Sequence, residues 1–168
     1  FLSIIPQRWT LENYIRLFSH GQFPRYILNS LINGLGGAVV TTIAATLAAY
    51  SLARFQFKGK AAIEAFILGM MLLPGLTNLI PIFKLASDLR LLNTYTLMIL
   101  VFGAYGVPLS IWIMKGFFES VPKVLEEAAA IDGANPVQTF LQVVLPITIP
   151  GVIATLLVNF VYNWNNFI

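Results

Sequence analysis

Four stretches of the chain carry no charged residue: 26–53, 65–83, 91–114 and 133–168. A helix crossing the hydrocarbon core of a bilayer needs about 20 consecutive, mostly apolar residues. The pattern therefore predicts four crossings, at about 27–53, 61–83, 94–114 and 146–162. In hydrocarbon each backbone polar group must be bonded within the protein, and the hydrophobicity here is too continuous for the alternating strands of a barrel. The expected fold class is an all-α membrane protein, a polytopic helix bundle forming one domain over 1–168.

Within the first predicted crossing, Gly37, Thr41, Ala45, Ala49 and Ala53 recur every four residues. That interval lays a ridge of small side chains along one face, where another backbone can approach closely. Ahead of it, Trp9, Leu11, Tyr14, Ile15 and Phe18 fall at helical spacing beside Arg8, Glu12 and Arg16. This predicts a short amphipathic helix at the interface, after which Pro24 breaks the chain. Pro74-Gly75 interrupts the second crossing at mid-depth, where the proline removes a donor and crowds the preceding turn, so a kink is expected. Thr77 and Asn78 beside it either line a path or satisfy the carbonyls that the proline frees. Glu64, within a turn of that crossing's start, either snorkels or faces Lys60 four residues earlier. Gly103, Gly106 and Pro108 soften the third crossing, and Asn163, Trp164, Asn165 and Asn166 mark the far interface of the fourth.

Composition agrees with this picture: 58% of residues are hydrophobic, 10% are charged and the mean hydropathy is +0.80. A soluble domain carries about a quarter charged residues, and a soluble helical core built from these segments would have almost no polar face. The net charge of +3 is spread too thinly to form a nucleic-acid patch, and with no cysteine neither disulfides nor thiolate chemistry arises. His20, the sole histidine, has no carboxylate cluster near it, so a metal site or a nucleophile–base pair has no support. No GxxxxGK[ST] loop is present to cradle nucleotide phosphates in the usual way. The predicted crossings hold no ionisable group at mid-depth, which favours an energy source outside the bilayer over an ion gradient. Phe1 is not an initiator methionine, and the sequence stops at Asn166-Phe167-Ile168 as a hydrophobic helix is finishing, so it reads as a fragment and not as a signal-bearing precursor.

The polar segment 115–145 stands apart from the rest. Pro122 suits a first helical position; Val121, Val124, Leu125, Ala128 and Ile131 then fall on one face, with Lys123, Glu126, Glu127 and Ala130 on the other. Gly133 is the expected stop, and Asn135-Pro136 the cap and first turn of a second helix running to about Val144 and ended by Pro146. An amphipathic connector resting on lipid head groups is the plainer alternative. However, Glu119, Glu126, Glu127 and Asp132 outnumber Lys115 and Lys123, which suits an anionic leaflet poorly and a protein partner better. Basic residues divide evenly: Arg54, Lys58, Lys60, Lys115 and Lys123 on this side, Arg8, Arg16, Arg25, Lys84 and Arg90 on the other. The densest cluster, 54–60, favours the cytoplasm for the polar segment.

Glu127-Ala128-Ala129, then Gly133, then Val143, Val144, Leu145 and Pro146 form a pattern of fixed intervals. It resembles the EAA loop of the membrane-spanning permease subunits of bacterial ATP-binding-cassette (ABC) importers that use a solute-binding protein. That signature runs glutamate-alanine-alanine, three residues, glycine, nine residues, isoleucine, one residue, leucine-proline, and Val143 replaces the isoleucine. Thr10-Leu11-Glu12-Asn13-Tyr14, Asn29-Ser30, the run from Ala48-Ala49-Tyr50 through Arg54-Phe55, Leu92-Asn93-Thr94-Tyr95, Lys115-Gly116-Phe117-Phe118 and Asn163-Trp164-Asn165 extend the likeness in order. They are similar to the smaller permease of carbohydrate importers of the maltose and glycerol-phosphate type.

The resemblance implies a multi-pass subunit of a bacterial or archaeal cytoplasmic (inner) membrane, with six helices in the intact chain, that hydrolyses nothing itself. It implies that 122–132 is a coupling helix seated in a cleft of a cytoplasmic ABC ATPase dimer. The coupling residues would be Glu126, Glu127, Ala128, Ala129, Asp132, Gly133, Ala134, Leu145 and Pro146. Glu127 would face basic residues, Ala128 and Ala129 would allow close approach, and Gly133 would permit the bend. No cofactor is implied in this chain, ATP and Mg belonging to the partner ATPase. The other implied partners are a second permease subunit, an extracytoplasmic solute-binding protein, membrane lipid and a small solute, a sugar. No nucleic acid is implied. Asn78, Asn159 and Asn163 are candidates for the solute path, each equally explained by helix packing. An ATP-independent channel or gradient-driven carrier with the polar segment as its gate is the alternative; a membrane-embedded enzyme has little to build on.

Overall fold

The computed structural model describes residues 10–19, 21–73 and 75–166, without the side chains of Gly75 and Leu76. The expectations for Phe1, Arg8, Trp9, His20, Pro74, Phe167 and Ile168 fall outside those residues. The described chain is helical throughout its regular elements. A short exposed helix, α1 (Glu12–Ser19), precedes α2 (Phe23–Arg54), and the Phe18 ring packs edge-on against Phe23 at 5.3 Å. Pro24 does not break the chain as expected. It sits in the first turn of α2, where a missing N–H leaves nothing unbonded, and so opens the helix.

The small-residue ridge of α2 faces inward: Gly37, Thr41, Ala45 and Ala49 are buried and Ala53 is half-buried. Against it lies α5 (Tyr95–Ser120), the element with which α2 makes its most extensive contact. A Cβ added to Gly37 would lie 2.7 Å from Phe102 Cβ, and one added to Gly103 would lie 2.9 Å from Val40 Cγ1. The Thr41 hydroxyl is shared between the carbonyls of Gly37 and Gly103, 2.9 Å from each. On the outer side of α2, Leu35, Ile43 and Leu47 are exposed. Large apolar groups outside and small or hydroxylated groups inside suit a surround as apolar as leucine itself, where close packing and hydrogen bonds hold helices together.

The third element outlasts its expected end at 114, because α5 continues to Ser120 and carries Lys115 and Glu119 on its own last turns. Lys115 Nζ lies 2.8 Å from Glu64 Oε1 on α3 (Lys60–Met71), so Glu64 pairs across to α5 and not along its own helix to Lys60. The second expected crossing is broken. The helix α3 stops at Met71, a 3-10 turn spans Gly75–Asn78, and α4 (Leu79–Asp88) follows, each helix burying one residue, Ile67 and Ala86. Among the described residues, α2 and α5 are each long and apolar enough to cross a bilayer; Pro136–Ile147 with Ile149–Asn165 passes the same measure only if that bent pair is counted as one span.

After α5 come α6 (Lys123–Ile131), α7 (Pro136–Thr139), a π turn (Phe140–Val144) and α8 (Leu145–Ile147). A 73° bend at Thr148 leads into α9 (Ile149–Asn165). The stop expected at Pro146 is therefore displaced to Thr148. The Leu145 N–H reaches five residues back to the Phe140 carbonyl, and this widened turn makes room for a proline that would clash with a regular helix. Thr148, 2% exposed, then closes the helix by donating its hydroxyl to the Val144 carbonyl at 3.0 Å. The core joins Ala45, Ala49 and Leu52 of α2 to Ile111, Met114 and Phe118 of α5 and to Phe140 and Val144 of the π turn.

Candidate functional site

The acidic segment forms a closed helical hairpin. Gly133 has a φ of +88°, the Gly133 N–H donates to the Ala130 carbonyl at 3.1 Å and the Ala134 N–H to the Ala129 carbonyl at 2.9 Å. This pair of bonds is a Schellman motif, which needs a left-handed residue where glycine stands. Across the turn, Asn135 Oδ1 accepts the Gln138 N–H and Gln138 Oε1 accepts the Asn135 N–H, both at 2.9 Å, a complete capping box. A Cβ at Gly133 would meet nothing within 4 Å, so only the backbone angle constrains the position. Gly133→Val is expected to cost the hairpin about 1–2 kcal/mol, the left-handed penalty, and so to speed hydrogen exchange at the Ala134 amide about 5- to 30-fold.

The face of α6 that the spacing marks as apolar points away from the bundle. Among its residues Ile131 is 87% exposed and Val124 68%, with Leu125 exposed beside them and Val137 and Leu141 continuing the surface. Glu127, Ala128, Asp132, Gly133 and Pro146 are exposed as well, while Ala129, Ala134 and Leu145 are half-buried. No residue of α6 is buried; Val121, just before it, is. The outward direction follows from what lies inward: α6 packs on α7 and the π turn, beside which Phe118 and Phe140 already fill the core.

Glu126 alone of the coupling set turns decisively inward. Its Oε1 forms an ion pair with Arg54 Nε of α2, and its Oε2 accepts the Tyr50 hydroxyl at 3.1 Å. The Arg54 side chain is 6% exposed, and its Nη2 also donates to the Val121 carbonyl at 2.9 Å. The Tyr50 ring packs against Phe140 at 4.6 Å and Phe118 at 5.5 Å. Tyr50, Arg54 and Glu126 border a groove of about 400 Å³ between the end of α2 and the hairpin, lined also by Lys123, Glu127 and Thr139. Arg54, the first of the basic cluster 54–60, is the last residue of α2. The partnership with Glu126 spans 72 positions and leaves no trace in local spacing.

The three candidate path asparagines are not brought together. Asn159 is buried and donates to Ser110 Oγ and to the Thr155 carbonyl, each at 2.7 Å, while its Oδ1 lies where a Cβ on Gly106 would be 2.2 Å away. Asn163, also buried, donates to the Gly34 carbonyl at 3.1 Å and borders a cavity of about 440 Å³ at the end of the bundle remote from α6. Tyr26, Asn29, Ser30, Asn33 and Trp164 line that cavity with it, and Asn33 Oδ1 and Asn163 Oδ1 are buried without a hydrogen-bond partner. Asn78 borders a different, largely apolar cavity of about 440 Å³ between α4 and α5.

Residues 41–168 match the family model described as binding-protein-dependent transport system inner membrane component. A probable ABC transporter permease of Pyrococcus horikoshii is 39% identical over 160 residues, which is 94% of this chain and 58% of that protein. The trehalose/maltose transport system permease MalG of Thermococcus litoralis is 36% identical over 98% of this chain and 60% of its own length. Among solved structures, a bacterial ABC transporter involved in import of the acidic polysaccharide alginate superposes with a TM-score of 0.84 and 26% identity, over 98% of this chain and 57% of that one. The chain thus spans about three fifths of the curated relatives it matches. With an all-helical bundle, two helices able to cross a membrane and a family match over most of its length, the chain belongs to the inner-membrane permease components of binding-protein-dependent ABC transporters.

Proposed function

We propose that this chain forms part of the translocation path of an ATP-driven sugar importer and takes up the motion of a cytoplasmic ABC ATPase dimer through α6. The observation that carries this reading is the outward stripe of Val124, Leu125 and Ile131 beside Glu127, on a hairpin whose turn is closed by its own hydrogen bonds. Closing the backbone leaves the apolar side chains of α6 still exposed, and a mixed apolar and acidic surface suits a partner's cleft. Glu127, Ala128, Ala129, Asp132, Gly133 and Ala134 form the docking element, with Leu145 and Pro146 at its base; ATP and Mg are handled by the partner. A second permease subunit and an extracytoplasmic solute-binding protein complete the assembly. Across the membrane, α2, the α3–α4 pair, α5 and α9 are the four crossings.

A sugar as the solute is supported by the relatives named for trehalose and maltose. The cavity at the far end of the bundle fits it: its lining is uncharged, rich in asparagine amides and flanked by Tyr26 and Trp164, groups that hydrogen-bond hydroxyls and cover the apolar face of a sugar ring. Asn163 belongs to this mouth. Asn159 and Asn78 lie deeper, the first at the α5–α9 contact and the second beside the α3–α4 break. A channel or gradient-driven carrier is not favoured, since the ion pairs among the described residues gather at the α6 end. In proteoliposomes holding the intact permease pair and ATPase, uptake of a neutral oligosaccharide is expected only with binding protein and ATP. Equal uptake without ATP contradicts the proposal.

A further inference from the structure

Glu126 reaches from α6 into the bundle, and it is received from two successive turns of one helix. Arg54 and Tyr50 stand four residues apart on α2, each engaging a different oxygen of the carboxylate. Arg54 bridges two places at once, because its second nitrogen binds the Val121 carbonyl where α5 gives way to α6. The guanidinium is a rigid planar fork, so bonds to the first turn of α6 and to the residue before it fix a direction as well as a position. Tyr50 is itself immobilised between Phe118 of α5 and Phe140 of the π turn. At the other end of α2, Tyr26, Asn29, Ser30 and Asn33 supply much of the lining of the remote cavity. One uninterrupted helix of 32 residues, about 48 Å at 1.5 Å per residue, therefore runs from the Glu126 clamp to that cavity.

We infer that Arg54 and Tyr50 are positioning residues that fasten α6 to α2, so that a displacement of α6 tilts α2 as a lever and reshapes the cavity at its far end. Without the clamp the same displacement is taken up in the short connections around residues 121–122 and 132–135. The inference rests on the reading of α6 as the ATPase-contacting helix. Ion pairs shielded from water fix orientation more dependably than they add stability, which suits the role.

The test uses the assembled complex in proteoliposomes. Arg54→Ala and Tyr50→Phe are expected to leave ATPase turnover within about twofold of the parent while solute transported per ATP falls about tenfold or more, a coupling loss of ordinary size. The exchange Arg54→Glu with Glu126→Arg is expected to recover part of that ratio. A purely structural role lowers the yield of complex and leaves the ratio unchanged in what assembles. If Arg54→Ala does not assemble, Arg54→Lys, which keeps the charge and loses the fork, takes its place. Spin labels on Lys123→Cys, an exposed α6 position outside the docking stripe, and on Leu35→Cys are expected to give a narrow distance distribution in the parent and a broad one in the Arg54 variant. An unchanged transport ratio together with an unchanged distribution, in a complex whose α6 does contact the ATPase, overturns the inference. An α6 that never contacts the ATPase in the parent overturns the underlying reading and the inference with it.

Discussion

Replacing Ile131 with glutamate is expected to abolish stable association with the ATPase subunit while the permease itself folds normally. Ile131 is 87% exposed and touches no part of the core, so the substitution costs the isolated subunit little. In the proposed docked state it becomes the apolar anchor of α6, and a charge placed in a partner's cleft is left desolvated and unpaired. Anchors of this kind carry about 2–4 kcal/mol, so affinity should fall roughly 30- to 1,000-fold. Copurification of the ATPase with tagged permease measures this, alongside the thermal unfolding of the permease alone in detergent. Glu127→Lys, on the same surface, should weaken association less and more so at low salt, since its contribution is electrostatic.

The opposite profile is expected at Gly106. A Cβ there would lie 2.2 Å from Asn159 Oδ1 and 2.9 Å from Thr41 Cγ2 and Oγ1, at the junction of α2, α5 and α9. No flexible chain end is available to move aside: the Thr41 hydroxyl is held by two carbonyls and the Asn159 amide by Ser110 Oγ and the Thr155 carbonyl. Gly106→Val must therefore separate the helices or break a buried polar network. Overpacking costs about 1–3 kcal/mol and each orphaned buried polar group about as much again, so loss of the folded bundle is the expected result. Thermal unfolding of the purified variant, or its absence from the membrane fraction, checks this. Gly151→Val, whose Cβ would meet the Phe117 ring at 2.4 Å, should be milder because that ring is partly exposed and can swing outward.

Much of this molecule is legible in its sequence because bilayer and helix impose simple periods. The ridge from Gly37 to Ala53 is visible as a four-residue repeat, since nothing but close helix contact orders small residues so regularly. The hairpin is equally plain: Gly133 and Asn135-Pro136 are local signals, and local hydrogen bonds satisfy them. What escaped is non-local or depends on the partner. The break between Met71 and Leu79 looks like a kinked single span because composition is silent on whether a proline bends a helix or ends it. Pro146 looks like a stop because a π turn, the device that accommodates it, has no composition of its own. The spacing marks the apolar face of α6 but not which way it points, and it points outward. The Arg54–Glu126 clamp is invisible to any window shorter than the fold.

Residues 1–168 hold no cysteine, so one introduced at Ile131 is the single thiol of this segment and reports what α6 touches. Cross-linking from that position in the assembled, transport-active complex tests the central claim most directly, with Leu35→Cys on the outward face of α2 as the comparison. The expected result is an efficient adduct to the ATPase subunit from position 131, changing in yield between ATP-bound and nucleotide-free states, and none from position 35. An adduct from position 131 to the solute-binding protein, or no ATPase adduct from it in an active complex, would contradict the account.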